Sequence, residues 1–259
     1  MRWDPQLYGR WADERARPFT DLLSRVDVAD PDLVVDLGCG PGTLTASLAR
    51  RWPSSRVVGV DSSAEMIAAA RSLDAGDVAP RLAFVEADLR EWTPDAPVDV
   101  VVSNAVLQWV PGHLELLPTL VSWLAPGGVL ALQVPGNFGS PAHTLLRELA
   151  GSPRWRSRLP AAPRASTPDP VDYLTRLAGL GLRVDAWETT YLHLLDGPDP
   201  VLEWMRGTGL RPTLAALDDD EQAAFSAEYA ERLRAAYPEQ PFGTVLPFRR
   251  VFAVARRPR

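Results

Sequence analysis

Lysine is missing from this chain. All 27 basic side chains are arginine, against 33 acids, so the formal net charge is -6. That balance argues against a general affinity for nucleic acid or an anionic membrane, because the electrostatic part of such binding needs a basic face. The arginine excess reads as a coding bias and carries no functional message. Cysteine is nearly absent: Cys39 stands alone. No internal disulfide is possible, and a reducing, cytoplasmic compartment is expected. No apolar run approaches the roughly 20 residues that a membrane span requires, and no basic flank joined to an apolar stretch marks a cleaved leader. Histidine occurs three times, and His113 and His143 have no companions at metal-ligand spacing, so no metal is expected.

What is present is an alternation. Between residues 33 and 134, "LVVD" (33–36), "RVVGVD" (56–61), "LAFVEAD" (82–88), "VDVVVSN" (98–104) and "GGVLALQV" (127–134) are nearly unbroken apolar runs, as in strands buried on both faces. Between them lie helical patterns. Leu44, Leu48 and Trp52 recur on one face, and Ser62 with Glu65 forms a capping box before Met66 and Ile67. Repeated strand–helix–strand units predict an α/β fold with an open, doubly wound, mostly parallel sheet. At 259 residues, one domain with insertions is expected: a core over 30–135, with insertions at 136–180 and 196–246. Residues 151–170, rich in Pro, Arg and Ser, read as a loop. "YLTRLAGLGL" reads as a helix ending at a glycine cap, "RVDAWETTYLHLL" as a strand, residues 197–240 as two helical stretches, and "RRVFAVA" (249–255) as a last strand. The helical insertions near the C-terminal strands form a candidate lid.

The stretch "VVDLGCGPGTL" (34–44) follows the first strand. Gly38, Gly40 and Gly42 allow a tight turn and close approach of a ligand, and the next helix presents free N–H groups. A dinucleotide fingerprint would place its third glycine at position 43, where this chain has Thr43, and needs no acid at position 36. Asp36 would repel a pyrophosphate but suits a ligand bearing an ammonium group, directly or through water, as S-adenosylmethionine does. Asp61, closing the second strand, is placed to accept from both ribose hydroxyls, and Asp88, after the third, from an adenine amine. Met66 is placed to pack on the adenine, and Asn104 and Ala105, ending the fourth strand, to face the methionine part. The plain alternative for each acid is a helix cap or a turn.

With D-x-G-x-G-x-G, the acid after the second strand and "LAPGGVL" (124–130), residues 30–135 resemble the class I S-adenosylmethionine-dependent methyltransferases. A wider resemblance, to the bacterial trans-aconitate methyltransferases within that class, rests on "WDPQLY" (3–8), "RARPF" (15–19), "SNAVLQWVP" (103–111), "WETTYLHLL" (187–195), "TGLRP" (208–212) and "LPFRR" (246–250). The resemblance implies a Rossmann-like methyltransferase fold, S-adenosyl-L-methionine as cofactor and methyl-ester formation on a carboxylate of trans-aconitate. To the cofactor set it adds Tyr8, Arg17, Ser62, Leu89 and Trp109. A tricarboxylate meeting a negatively charged protein needs local guanidinium groups. The acceptor candidates are therefore Arg15, Arg211, Arg249 and Arg250, with Arg17 shared between acceptor and cofactor, and Tyr8, Tyr191 and His193 adding hydrogen bonds. Arg249 and Arg250, read as beginning a strand, have solvated edge residues as their alternative, and His193 has a structural role as its own. A carboxylate acceptor needs no deprotonation, so no essential general base is expected, with His193 and Tyr191 the candidates if one exists. Another small-molecule acceptor on the same fold, or cofactor binding without turnover, stays open. The expected partner is a small-molecule carboxylate, with no nucleic acid or membrane, and a monomer is favoured.

Overall fold

The structure, a computed structural model, describes the backbone of residues 12–159 and 167–259, with side chains from Arg17 onward. Tyr8, the side chain of Arg15 and part of the 151–170 loop lie outside the described residues. In chain order the elements are α1 (Ala12–Ser24), β1 (Leu33–Leu37), α2 (Thr43–Arg51), β2 (Arg56–Asp61), α3 (Ala64–Arg71), β3 (Leu82–Glu86), β4 (Val98–Asn104), α4 (Leu117–Ser122), β5 (Leu124–Pro135), α5 (Pro141–Ala150), α6 (Pro170–Gly179), β6 (Arg183–Leu195), α7 (Pro200–Arg206), α8 (Arg211–Leu214), α9 (Asp219–Ala236) and β7 (Thr244–Arg256).

The seven strands lie in the order β3-β2-β1-β4-β5-β7-β6. β1 pairs in parallel with β2 and β4, β2 with β3, and β4 with β5. On the other side of β5, the amide of Arg257 donates to Gly128 O at 2.8 Å and that of Gly136 to Arg249 O at 2.9 Å. Residue numbers rise along β5 as they fall along β7, so that pair is antiparallel. Every residue of β1 is buried, as the unbroken apolar run predicts for a strand covered on both faces. β3, at the edge of the sheet, is only partly buried.

The chain divides into two compact units: Met1–Val134 with Pro168–Glu188 and Val251–Arg259, and Pro135–Thr167 with Thr189–Arg250. In the first, one face of the sheet, including Val35, Leu37, Val60, Val101 and Leu132, packs with Leu117 and Leu120 of α4 and Tyr173 and Leu177 of α6. α6 starts at a capping box between Asp169 and Asp172 and ends where the amide of Leu182 reaches Leu177 O past Gly181, whose φ is +85°. In the second unit, Tyr229 Oη on α9 donates to Ala142 O at 2.8 Å, and Ala142 N donates to Tyr237 Oη at 3.0 Å. Trp155 packs edge-on against Phe225, with ring centroids 5.2 Å apart.

Two details depart from the sequence reading. The serine that caps α3 is Ser63, whose Oγ accepts from Met66 N at 3.2 Å; Ser62 is released from that task. The last strand begins at Thr244, so Arg249 and Arg250 lie inside β7 and not at its start.

Candidate cofactor and acceptor sites

In the first unit, strand order reverses between β1 and β4, and the carboxyl ends of the parallel strands at such a point are where open α/β sheets take their ligands. A cleft of about 470 Å³ opens there. That volume falls within the usual range for small-molecule sites. Ten residues expected from the sequence line it: Gly38, Gly40, Asp61, Ser62, Met66, Asp88, Leu89, Asn104, Ala105 and Trp109. Arg17 is exposed on α1 and is not among the lining residues.

The three glycines have different tasks. A Cβ on Gly38 would meet Val106 Cγ2 at 2.0 Å, and one on Gly42 would meet Phe84 at 2.8 Å. Those two are small because protein packs against them. A Cβ on Gly40 would have nothing within 4 Å, and Gly40 lines the cleft. Only there does the missing side chain leave room for a ligand. All three have positive φ, between 54° and 82°, which side chains rarely adopt.

Asp61 is held from both sides. Its Oδ2 accepts from Gly40 N and its Oδ1 from Ser63 N, each at 2.9 Å, which leaves lone pairs on both oxygens for a diol. Asp88 is gripped by Arg90, whose Nη2 donates to Oδ2 at 2.5 Å, and these hydrogen bonds hold the carboxyl well below the usual carboxylate range. Arg90, which the sequence reading missed, lines the cleft as well. Ala105 has φ +57°, a left-handed conformation rare for a residue with a Cβ. It is braced by Gln108 Nε2 donating to its carbonyl at 2.6 Å and by its own amide donating to Gln133 O at 2.9 Å.

Asp36 differs from expectation. It is 2% exposed and lies outside the cleft wall; its Oδ2 accepts from Thr45 Oγ1 at 2.7 Å, and burial pushes its pKa up to about 6. It therefore lies beneath the glycine turn and not on the cleft surface. Cys39 packs over Gly59, where an added Cβ would meet its Sγ at 2.9 Å. Burial, with Asp36 and Asp61 nearby, pushes its thiol far up, so it is a filler and no nucleophile.

The remaining features fit an adenosyl cofactor: an open cradle over Gly40, a fixed carboxylate for a diol, a thioether from Met66 and a buried Asn104 Oδ1 with no hydrogen-bond partner among the described residues. Among the described residues no group of three or more His, Cys, Asp or Glu is placed to hold a metal ion. His113 instead pairs with Tyr173 Oη at 2.6 Å, and burial lowers its pKa.

In the second unit, Tyr191 and His193 are 3% and 4% exposed on β6. Their rings stack at 6.3 Å, and His193 stacks on Trp204 at 4.9 Å. Phe248 joins this stack, and the Arg250 guanidinium lies 4.4 Å from the Phe248 ring centroid. Arg250 is 6% exposed, so the reading as a solvated edge residue does not hold. Its neighbour Arg249 points Nη1 at Gly136 O, 3.5 Å away. Arg211 opens α8. His143, also unanticipated, sits 3.4 Å from Asn137 Nδ2, with its pKa lowered to about 4 by burial and Arg147.

A family model described as a methyltransferase domain matches residues 34–128. Among solved structures, the YcgJ protein of Bacillus subtilis superposes with a TM-score of 0.61 at 12% identity, over 93% of this chain and 97% of that one. A Haemonchus contortus phosphoethanolamine N-methyltransferase, solved with S-adenosylhomocysteine, gives 0.55 at 17% identity, over 94% of this chain and 53% of the other. These likenesses concern the fold. Relatives named trans-aconitate 2-methyltransferase are much nearer in sequence. That of Streptomyces avermitilis is 56% identical over 98% of this chain and 97% of its own, and that of Escherichia coli O157:H7 is 45% identical over 98% of both. The chain thus belongs to the trans-aconitate 2-methyltransferase family, enzymes that use S-adenosylmethionine as methyl donor.

Proposed function

We propose that this chain esterifies one carboxylate of trans-aconitate. The observation that carries the reading is identity of about half or more along nearly the whole length of relatives bearing that activity in their names. Chemistry supports it. A buried Arg250, with Arg249 and Arg211 in the same unit, supplies planar forks for carboxylates in a protein of net charge -6. In the first unit, Asp61 takes the ribose hydroxyls, Asp88 and Met66 the adenine, and Asn104 and Ala105 the amino-acid end of the cofactor.

Bound S-adenosylmethionine supplies an electrophilic methyl group on a sulfonium. An acceptor carboxylate, with pKa near 4 by analogy with Asp and Glu, is already charged at neutral pH and attacks in line with no proton to lose. The protein's contribution is orientation and exclusion of water, not base catalysis. Incubation with methyl-labelled S-adenosylmethionine and a panel of organic acids tests this. Label should enter trans-aconitate as a base-labile ester, and incorporation into a hydroxyl or carbon acceptor alone would overturn the reading.

A further inference from the structure

The end of β5 carries a residue that the cofactor reading does not use. Gln133 is 1% exposed, and neither its Nε2 nor its Oε1 has a hydrogen-bond partner among the described residues. A carboxamide buried in this state costs stability, so its presence calls for a group that completes its bonds. Its position indicates which group. Gln133 lies behind the cleft wall: it pairs in register with Asn104, and its carbonyl accepts from the amide of Ala105, both residues that line the cleft as Gln133 itself does not. Along β3, β2, β1 and β4 the strand ends carry, in order, Asp88 for the adenine, Asp61 for the ribose, and the glycine turn and Asn104 for the methionine end. Adjacent strands stand about 4.8 Å apart, so the end of β5 lies one step beyond the cofactor's sulfur end, where an acceptor must come.

We propose that the Gln133 carboxamide orients the attacking carboxylate of the acceptor, its Nε2 donating to that group directly or through one ordered water. This rests on the function proposed above. A neutral donor suits the place. A guanidinium there would repel the sulfonium and draw charge from the attacking oxygen, whereas an amide aligns the oxygen and leaves its charge largely intact. The transfer itself forms one oxygen–carbon bond and breaks one sulfur–carbon bond, whose electron pair stays on sulfur, so no proton moves.

Gln133→Leu keeps the shape and removes the donor. Because the wild-type amide is unsatisfied, the melting temperature should hold or rise. Turnover of trans-aconitate should fall about tenfold, with the acceptor KM and the calorimetric Kd for S-adenosylhomocysteine each within about twofold of wild type, the pattern of an interaction made chiefly in the transition state. Gln133→Met, judged by the same readouts, serves if the leucine variant does not fold. Weaker S-adenosylhomocysteine binding with unchanged 5′-methylthioadenosine binding would mean the amide reads the cofactor's ammonium, and would overturn the proposal. So would a lower melting temperature with unchanged turnover, the mark of a structural water site, or a higher KM at constant turnover. A wild-type protein that methylates no acid in the panel defeats the proposed function itself, whereas wild-type turnover matched by the variant defeats only this inference.

Discussion

The glycine turn of the first unit and the aromatic stack of the second are both closely determined, by different means. In the turn, main chain does the fixing. Gly40 N and Ser63 N fix Asp61, and the φ values of Gly38, Gly40 and Gly42 set where the chain passes. In the stack, side chains from β6, α7 and β7 fix one another: Tyr191 on His193, His193 on Trp204, and Arg250 on Phe248. Main-chain recognition is written in one short stretch of sequence. Side-chain recognition is spread over some sixty positions, with no constant spacing. Substitutions on either side show how far this contrast goes.

The largest effect should come from Gly38→Ala. The new Cβ would meet Val106 at 2.0 Å in a backbone with φ +73°, so both steric overlap and strain oppose it. A loss of 3 kcal/mol or more, on the order expected for overpacking plus a left-handed alanine, should appear in guanidinium denaturation. Gly40→Ala meets open space and should cost only about 1 kcal/mol, the strain alone. Its damage should appear in S-adenosylhomocysteine binding instead. Equal stability losses for the two would mean that the turn is a single packing unit and that the division between Gly38 and Gly40 is wrong.

Asp36 provides a second test within the turn. Its folded pKa, raised from 3.8 to about 6 chiefly by burial, means that the folded state binds the proton more tightly. The ionised form therefore costs stability at neutral pH, and that cost fades as pH falls from about 6 to 3.8. Asp36→Asn keeps an oxygen for the Thr45 hydroxyl and removes the charge. It should stabilise the protein at pH 7 by up to about 3 kcal/mol, the free energy that separates a carboxyl of pKa 3.8 from one of about 6, with most of the gain gone at pH 4. Chemical denaturation at both pH values decides. A stability loss at pH 7 would show Asp36 compensated by a charge that the present geometry does not contain.

Asp61→Ala comes next, because it removes the carboxylate proposed to hold the ribose and leaves the cleft open. S-adenosylhomocysteine binding should weaken by about 1.5–3 kcal/mol, the range for hydrogen bonds to a charged group. No comparable NAD binding should appear in either protein, and tight NAD binding by the wild type would break the cofactor side of the comparison. On the other side, Arg250→Leu should raise the acceptor KM about tenfold while lowering turnover less, since a clamp on spectator carboxylates acts alike in ground and transition states. Its cofactor affinity should be unchanged. A parallel fall in cofactor affinity would place Arg250 in the cofactor pocket or in the fold.

How much of this was legible in the sequence follows the same contrast. The five parallel strands, the glycine turn and the acids at strand ends could be read because each is local: an apolar run, a positive-φ residue, a carboxylate just past a strand. The bounds of β6 were readable to the residue, Arg183 to Leu195. What could not be read depended on partners distant in the chain. The separate tasks of Gly38 and Gly40 turn on Val106, nearly seventy positions away. The burial of Asp36 depends on Thr45 and on sheet neighbours that a strand pattern does not name. Ser62 and Ser63 offer the same hydroxyl one residue apart, and only the entry angle of α3 decides which one caps it. Gln133 gave no signal at all, because a lone amide in an apolar run looks like an accident until its lack of partners among the described residues is seen.

The smallest expected effect is on the pH profile, and it bears on whether His193 is structural or chemical. If methyl transfer needs no base, saturated turnover should be flat wherever no titrating group touches the cleft or the turn. His143, with its pKa lowered to about 4, and His113, also lowered by burial, stay neutral at and above neutrality, and Cys39 stays a thiol. Asp36, at about 6, is the exception, since it takes up its proton beneath the glycine turn as the medium becomes acid. The profile should be level from about pH 7 to 8 and bend only toward pH 6, and Asp36→Asn should extend the level part downward. His193→Asn should keep a substantial share of turnover, because its ring is fixed between Tyr191 and Trp204 and is not required to take a proton. Turnover rising tenfold per pH unit across the neutral range, with the slope lost in His193→Asn, would instead mean that the acceptor must be deprotonated. The second unit would then hold catalytic chemistry, a hydroxyl or carbon acceptor would replace the carboxylate, and the division between a recognising turn and a fixed aromatic stack would have to be redrawn.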